Sequence, residues 1–188
     1  NGPNLNLLGE REQSQYGSTT FDQLKENCLN KANKIGIELE FTQSNIEGEL
    51  VNFIQDARKK FDGMIIKIKM ISDNLFENIN QIDTLLDKYS GKVKLRLDFN
   101  GSMDLNRSIR FCKMLEGKPI DYIEQPIDSE YIEDMQELSL HTEIPIAVDE
   151  MVTDIDSVHR ILEYQCADVF VLKPMTIGSI NDLKAIAD

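Results

Sequence analysis

The chain has 188 residues, 41% of them hydrophobic, which is enough for one domain with a sizeable core. A formal net charge of −13 and a pI near 4.6 exclude the clustered Lys and Arg surfaces that nucleic acids and anionic membranes require. Cys28, Cys112 and Cys166 are odd in number, widely spaced and without a CxxC pair, so reduced thiols in the cytosol are expected. No apolar run approaches a membrane span.

The opening residues through Gly17 are rich in Asn, Gly and Pro and read as a long loop. A helix follows, with Thr19 or Thr20 as its N-cap, Phe21, Leu24, Cys28 and Leu29 at helical spacing, and Gly36 at its end. Residues 37–41 alternate as a strand, 47–60 as a helix, and 63–70 as a strand continuous enough to be buried. The pattern then repeats: helix 74–88, strand 93–98, helix 105–116, strand 121–125, helix 131–140, strand 144–149, helix 155–164, strand 168–173 and helix 179–187. Strands alternating with helices of this length predict an α/β fold of parallel βα repeats. The first residue is Asn1 and the last, Asp188, falls inside a helical pattern, so a piece of a longer chain is expected.

Residues 93–100 carry the strongest signal. Val93, Leu95 and Leu97 alternate with Lys94, Arg96 and Asp98, and Asn100 continues the polar side. A doubly wound sheet, covered on both faces, would have to bury those charges at several kcal/mol each. A closed parallel barrel lets the inner face lead into a polar site. Carboxylates recur at the ends of successive strands: Asp98, Glu124 and Asp149, spaced by 26 and 25 residues, about one βα unit each. Lys69 precedes the set by 29 residues and Lys173 follows it by 24.

Two resemblances meet in this chain. Residues 1–66 resemble the first half of the type II 3-dehydroquinate dehydratases, which are flavodoxin-like. The matching stretches are Gly2-Pro-Asn-Leu-Asn-Leu-Leu-Gly9, Arg11-Glu-Gln-Ser-Gln-Tyr16-Gly17, Gln43-Ser-Asn-Ile-Glu-Gly-Glu-Leu50 and Asp62-Gly-Met-Ile-Ile66. The resemblance implies Tyr16 as a proton-removing base, Arg11 on a lid and Asn6 as an orienting group. That family continues into Asn-Pro-Gly-Ala and a catalytic His. Here Lys67-Ile-Lys69-Met70 stands instead, and His141 and His159 lie in unrelated contexts. Half of an acid/base pair argues for a vestigial site.

From residue 63 onward the chain resembles the enolase-superfamily barrel, and within it o-succinylbenzoate synthases. The motifs are Lys67-Ile-Lys69, Leu95-Arg-Leu-Asp98-Phe-Asn-Gly-Ser102, Ile123-Glu124-Gln-Pro126, Ala147-Val-Asp149-Glu150 and Phe170-Val-Leu-Lys173-Pro174, followed by Gly178-Ser179. The family's capping domain, first barrel strand and last two strands have no counterpart in the sequence. The fold expected is therefore a partial TIM-like barrel fused to a flavodoxin-like N-terminal half, over 63–188 and 1–66 and forming one continuous unit. The resemblance implies Mg²⁺ held by Asp98, Glu124 and Asp149, with Lys69 as base and Lys173 as electrostatic partner of the enolate. Lys67, two residues from Lys69 on the same face, would disfavour the protonated form of that base, and Asn100 and Glu150 would stand beside the ligands and orient them. Hard oxygen donors and a developing double negative charge on the substrate suit that ion.

The partner implied is a small-molecule carboxylate, with neither nucleic acid nor membrane, and a homo-oligomer through unpaired sheet edges is open. Three functions remain open: an o-succinylbenzoate synthase-type dehydratase, a type II 3-dehydroquinate dehydratase, and a catalytically inert hybrid scaffold.

Overall fold

The computed structural model describes residues 4–10, 18–89, 91–177, 182, 185 and 186. The chain divides into two units, residues 1–61 and 62–188.

In the first unit a single 3-10 turn, Leu5–Leu7, precedes two helices, α1 (Phe21–Ile35) and α2 (Glu47–Lys60). Helix α1 starts in a capping box. The Gln23 amide N–H donates to Thr20 Oγ1 (3.3 Å), and the Thr20 N–H donates to Gln23 Oε1 (2.9 Å). It stops at Gly36, whose φ of 73° is the left-handed turn that residue allows. The strand expected over 37–41 does not form. Its backbone has no neighbouring strand among the described residues of this unit, and Ile37 and Leu39 are exposed. Alternation marks a chain able to join a sheet, and a ladder still needs a partner. The flavodoxin-like sheet expected here is therefore absent from the described residues of 1–61.

The second unit is a parallel sheet with helices between its strands: β1 (Met64–Lys69), α3 (Leu75–Lys88), β2 (Val93–Asp98), α4 (Leu105–Leu115), β3 (Ile120–Glu124), α5 (Ile132–Ser139), β4 (Ile146–Val148), α6 (Ile155–Tyr164), β5 (Val169–Phe170) and the short α7 (Pro174–Ile177). The strands lie in the order β1-β2-β3-β4-β5. A doubly wound sheet reverses its strand order at a switch point, whereas a barrel adds each strand beside the last. This order is that of a barrel arc. The last strand is shorter than expected, ending at Phe170, and α7 begins at Pro174, ahead of the helix expected over 179–187. Of that expected segment only residues 182, 185 and 186 are described.

The apolar face of the sheet makes the core. In-register Leu97, Ile123 and Ile146 are buried, as are Leu95 and Val148. So are Ile82 of α3, Phe111 and Leu115 of α4, Met135 and Leu138 of α5, and Ile161 of α6. Each such side chain contributes about 1.5–3 kcal/mol. Helices α4 and α6 begin on aspartate caps, Asp104 and Asp154, whose carboxylates accept from the Arg107 and Ser157 amides at 2.8 and 2.7 Å.

The loop after β2 turns through Gly101, which has φ 72°. A Cβ there would meet Asp128 Cα at 2.9 Å. Gly117 has a similar φ of 75° and open space around it. Gly117→Ala should therefore cost about 1 kcal/mol of left-handed strain and Gly101→Ala at least about 2–3 kcal/mol in urea unfolding. Equal losses at the two positions would contradict the close approach.

Candidate active site

Parallel pairing with the side-chain period of two decides which residues share a face. Lys67 pairs with Arg96 and Lys69 with Asp98. Arg96 pairs with Tyr122 and Asp98 with Glu124, and Glu124 pairs with Ala147. Ala147 pairs with Val169. Counting by twos puts Asp149 on the same face as Ala147, and Lys173 on that of Val169 if the alternation carries past β5. The charged residues of five strands thus stand on one face at the carboxyl ends, opposite the helices.

Their charges pair at short range. Lys67 Nζ bridges Glu124 Oε1 (2.6 Å) and Asp98 Oδ2 (3.3 Å), and Lys173 Nζ meets Asp149 Oδ2 at 2.5 Å. Toward the amino end of the face, Arg96 Nε donates to Asp121 Oδ2 at 2.7 Å while its guanidinium lies over the Tyr122 ring. The cost of burying strand charges is met by this pairing.

Glu124 is completely buried, and among the described residues its Oε2 has no hydrogen-bond partner. Burial pushes its carboxyl above the ordinary range. The Lys67 ammonium pulls the other way, and the carboxylates of Asp98 and Asp149 push further up. For Lys67, burial opposes the charge, but Glu124 and Asp98 outweigh it and hold the ammonium above its usual range. Burial is the larger cause at Glu124 and the neighbouring carboxylates add to it, whereas at Lys67 the two carboxylates prevail over burial.

Lys69 differs from Lys67. It lies in the row of Asp98 and Glu124 and is exposed, and among the described residues its ammonium has no ion pair or hydrogen bond. Asn100, left-handed at φ 46°, donates its backbone N–H to Asp98 Oδ1 (3.2 Å) and its side-chain amide to Glu150 Oε1 (2.7 Å).

One polar residue escaped the sequence reading. Gln125 is buried, its Oε1 accepts from the Asp149 amide at 3.0 Å, and its Nε2 donates to the Ile127 carbonyl at 2.9 Å. The only sequence signal was a glutamine between a strand-end acid and Pro126.

The expected convergence of Asp98, Glu124 and Asp149 on one metal point is not seen. Among the described residues no group of three His, Cys, Asp or Glu side chains is placed to hold a metal ion. One oxygen of each carboxylate is instead engaged by the ammonium of Lys67 or Lys173. The donor chemistry fits nonetheless. Three hard carboxylates stand on neighbouring strand ends, and the orphaned Glu124 Oε2 lacks a cation or donor.

Burial pushes the thiols of Cys112 and Cys166 up to about 11, so neither serves as a nucleophile. In the N-terminal unit Asn6 Oδ1 accepts from Gln43 Nε2 (3.3 Å), which also reaches Asn45 Oδ1 (2.8 Å). Arg11 and Tyr16 lie outside the described residues. Among the described residues no helix is long and apolar enough to cross a membrane.

Comparison with known proteins divides the chain as its motifs do. The family model "Enolase C-terminal domain-like" matches residues 49–188, and "Dehydroquinase class II" matches residues 1–70. The 3-dehydroquinate dehydratase of Clostridium acetobutylicum is 52% identical over 66 residues, which is 35% of this chain and 46% of that protein. Muconate cycloisomerase from Pseudomonas fluorescens has a similar fold, with a TM-score of 0.66 and 24% identity over 74% of this chain and 38% of its own. The o-succinylbenzoate synthase of Thermosynechococcus elongatus, solved with Mg in its active site, gives a TM-score of 0.63 and 26% identity over 73% of this chain and 43% of its own. The chain spans less than half the length of each of these three proteins.

Lys67 keeps 44% of its side-chain exposure while Glu124 keeps none. Lys67→Met should therefore cost about 2 kcal/mol in urea unfolding, between the ~1 kcal/mol of an exposed pair and the roughly 3–5 kcal/mol of a buried one. Adding Glu124→Gln should return more than half of that loss. An unchanged stability in Lys67→Met would contradict the bridge.

Proposed function

We propose, for a chain that belongs through residues 49–188 to the enolase C-terminal domain-like family, a Mg²⁺-dependent carbon–oxygen lyase of the o-succinylbenzoate synthase type. It would remove water from a cyclohexadiene carboxylate to give the aromatic succinylbenzoate. The observation that carries the reading is the buried Glu124 Oε2, unpartnered among the described residues, on the strand between those that lead to Asp98 and Asp149. An anionic oxygen left this way costs several kcal/mol unless a cation or donor meets it. Asp98, Glu124 and Asp149 would hold the ion.

Mg²⁺ bound there would supply positive charge beside the substrate carboxylate. Lys69 is the base, because its amine is not tied into an ion pair among the described residues, whereas Lys67 is kept charged by Glu124 and Asp98. Lys69 takes the proton from the carbon next to the carboxylate, and the electron pair stays with the substrate. The bond to the hydroxyl then breaks, and the Lys69 ammonium returns its proton to that hydroxyl, which leaves as water. Lys173 adds positive charge from the far end of the face, and Asn100, tied to Glu150, fixes the Asp98 carboxylate.

The reading places the protein in the cytosol, with a small carboxylate as substrate and the edges of β1 and β5, unpaired among the described residues, as the place for a second copy. A second reading, 3-dehydroquinate dehydration, is favoured by the 66-residue match to that enzyme. It predicts metal-independent turnover lost in Tyr16→Phe.

The test is turnover of the cyclohexadiene carboxylate, followed by its ultraviolet absorbance with Mg²⁺ and with a chelator. Activity should need the metal and fall by about 10²–10⁴ in Lys69→Ala. No turnover by the folded chain would leave an inert hybrid as the better description.

A further inference from the structure

Gln125, which directly follows Glu124, reaches the loops after Asp98 and around Asp149 with its own atoms. Its carbonyl accepts from the Gly101 amide at 2.7 Å, in the loop after Asp98, and its own amide donates to the Ala147 carbonyl at 2.8 Å. Its side chain crosses to the loop after β4, where Oε1 accepts from the backbone amides of Asp149 (3.0 Å) and Met151 (3.4 Å). The remaining side-chain group, Nε2, is satisfied by the Ile127 carbonyl.

The arrangement is expensive. A full-length amide is buried without exposure, on a residue held at φ 37° in the left-handed region that glycine or asparagine would adopt more easily. A residue chosen only to fill space there could be apolar. A residue chosen for the turn could be glycine. Neither would place an acceptor against two amides of the next strand end.

From this we infer that Gln125 is a positioning residue: it latches the backbone of Asp149 to the strand end of Glu124 and so sets the separation of the three carboxylates. The inference rests on the proposed cation site, because the latch matters to function only if those carboxylates act together. The Gln125 side-chain amide is committed to the backbone of Asp149, Met151 and Ile127.

Gln125→Asn is the informative variant, since asparagine tolerates the left-handed turn and keeps the amide but is one carbon too short to reach. Gln136→Asn is its control, because Gln136 Nε2 makes a comparable tie to the Tyr164 carbonyl at 2.8 Å between helices, away from the carboxylates. Amide hydrogen exchange in the full chain should show the Asp149 and Met151 amides opening roughly tenfold faster in Gln125→Asn and unchanged in Gln136→Asn. Mg²⁺ affinity, followed by NMR titration, should fall roughly 10–100-fold in the first and stay level in the second.

Unchanged amides in Gln125→Asn would overturn the latch. So would amides that open while Mg²⁺ affinity stays at the wild-type value. Wild-type protein that takes up no Mg²⁺ overturns the lyase reading instead. The latch is then judged by the amides and by the Asp149 carboxyl ¹³C shift, which should move in Gln125→Asn and overturns the latch if it does not.

Discussion

Parallel strand register is the constraint on which the rest of this molecule depends. Because side chains alternate with a period of two, the pairs Lys69 with Asp98 and Asp98 with Glu124 put these three charged residues on one face. The same pairs force Leu97, Ile123 and Ile146 onto the other. A slip of one residue at any strand would send a carboxylate into the helix-covered core and an aliphatic side chain into the polar face. The hydrophobic effect fixes the register, and the register assembles the site.

Charge balance shapes what the register brings together. Lys67 answers Glu124 and Asp98, and Lys173 answers Asp149, so two ammonium groups meet three carboxylates. Glu124 is the most buried of the three, and among the described residues its second oxygen has no partner. Backbone bonds hold this imbalance in place: the Phe99 amide to the Glu124 carbonyl at 3.1 Å, and the Met103 amide to the Pro126 carbonyl at 3.0 Å. A site with uncompensated charge on a rigid frame is what binding a cation or an ionic substrate requires.

Much of this was legible in the sequence because it rests on period and spacing. The alternation over Val93–Asp98 gave that strand to the residue, and the recurrence of acids every 25 or 26 residues gave the row of strand ends. Three things were not legible. Ile37–Phe41 alternates like a strand, but pairing is a property of two segments, and no partner lies beside it among the described residues. Lys67 reads as a neighbour of the base, yet its four-carbon stem carries the ammonium past its own row onto Asp98 and Glu124, a reach that periodicity does not encode. Gln125 works through its amide against the backbone of a loop 24 residues away, and backbone partners leave no mark on residue type.

The most direct measurement is calorimetric titration of Mg²⁺ into the folded chain, beside the same titration into Asp98→Ala. Saturable binding near one ion per chain, lost in the variant, is the expected result and would mean that Asp98, Glu124 and Asp149 act as one site. No binding by a chain shown to be folded, or equal binding by Asp98→Ala, would contradict it.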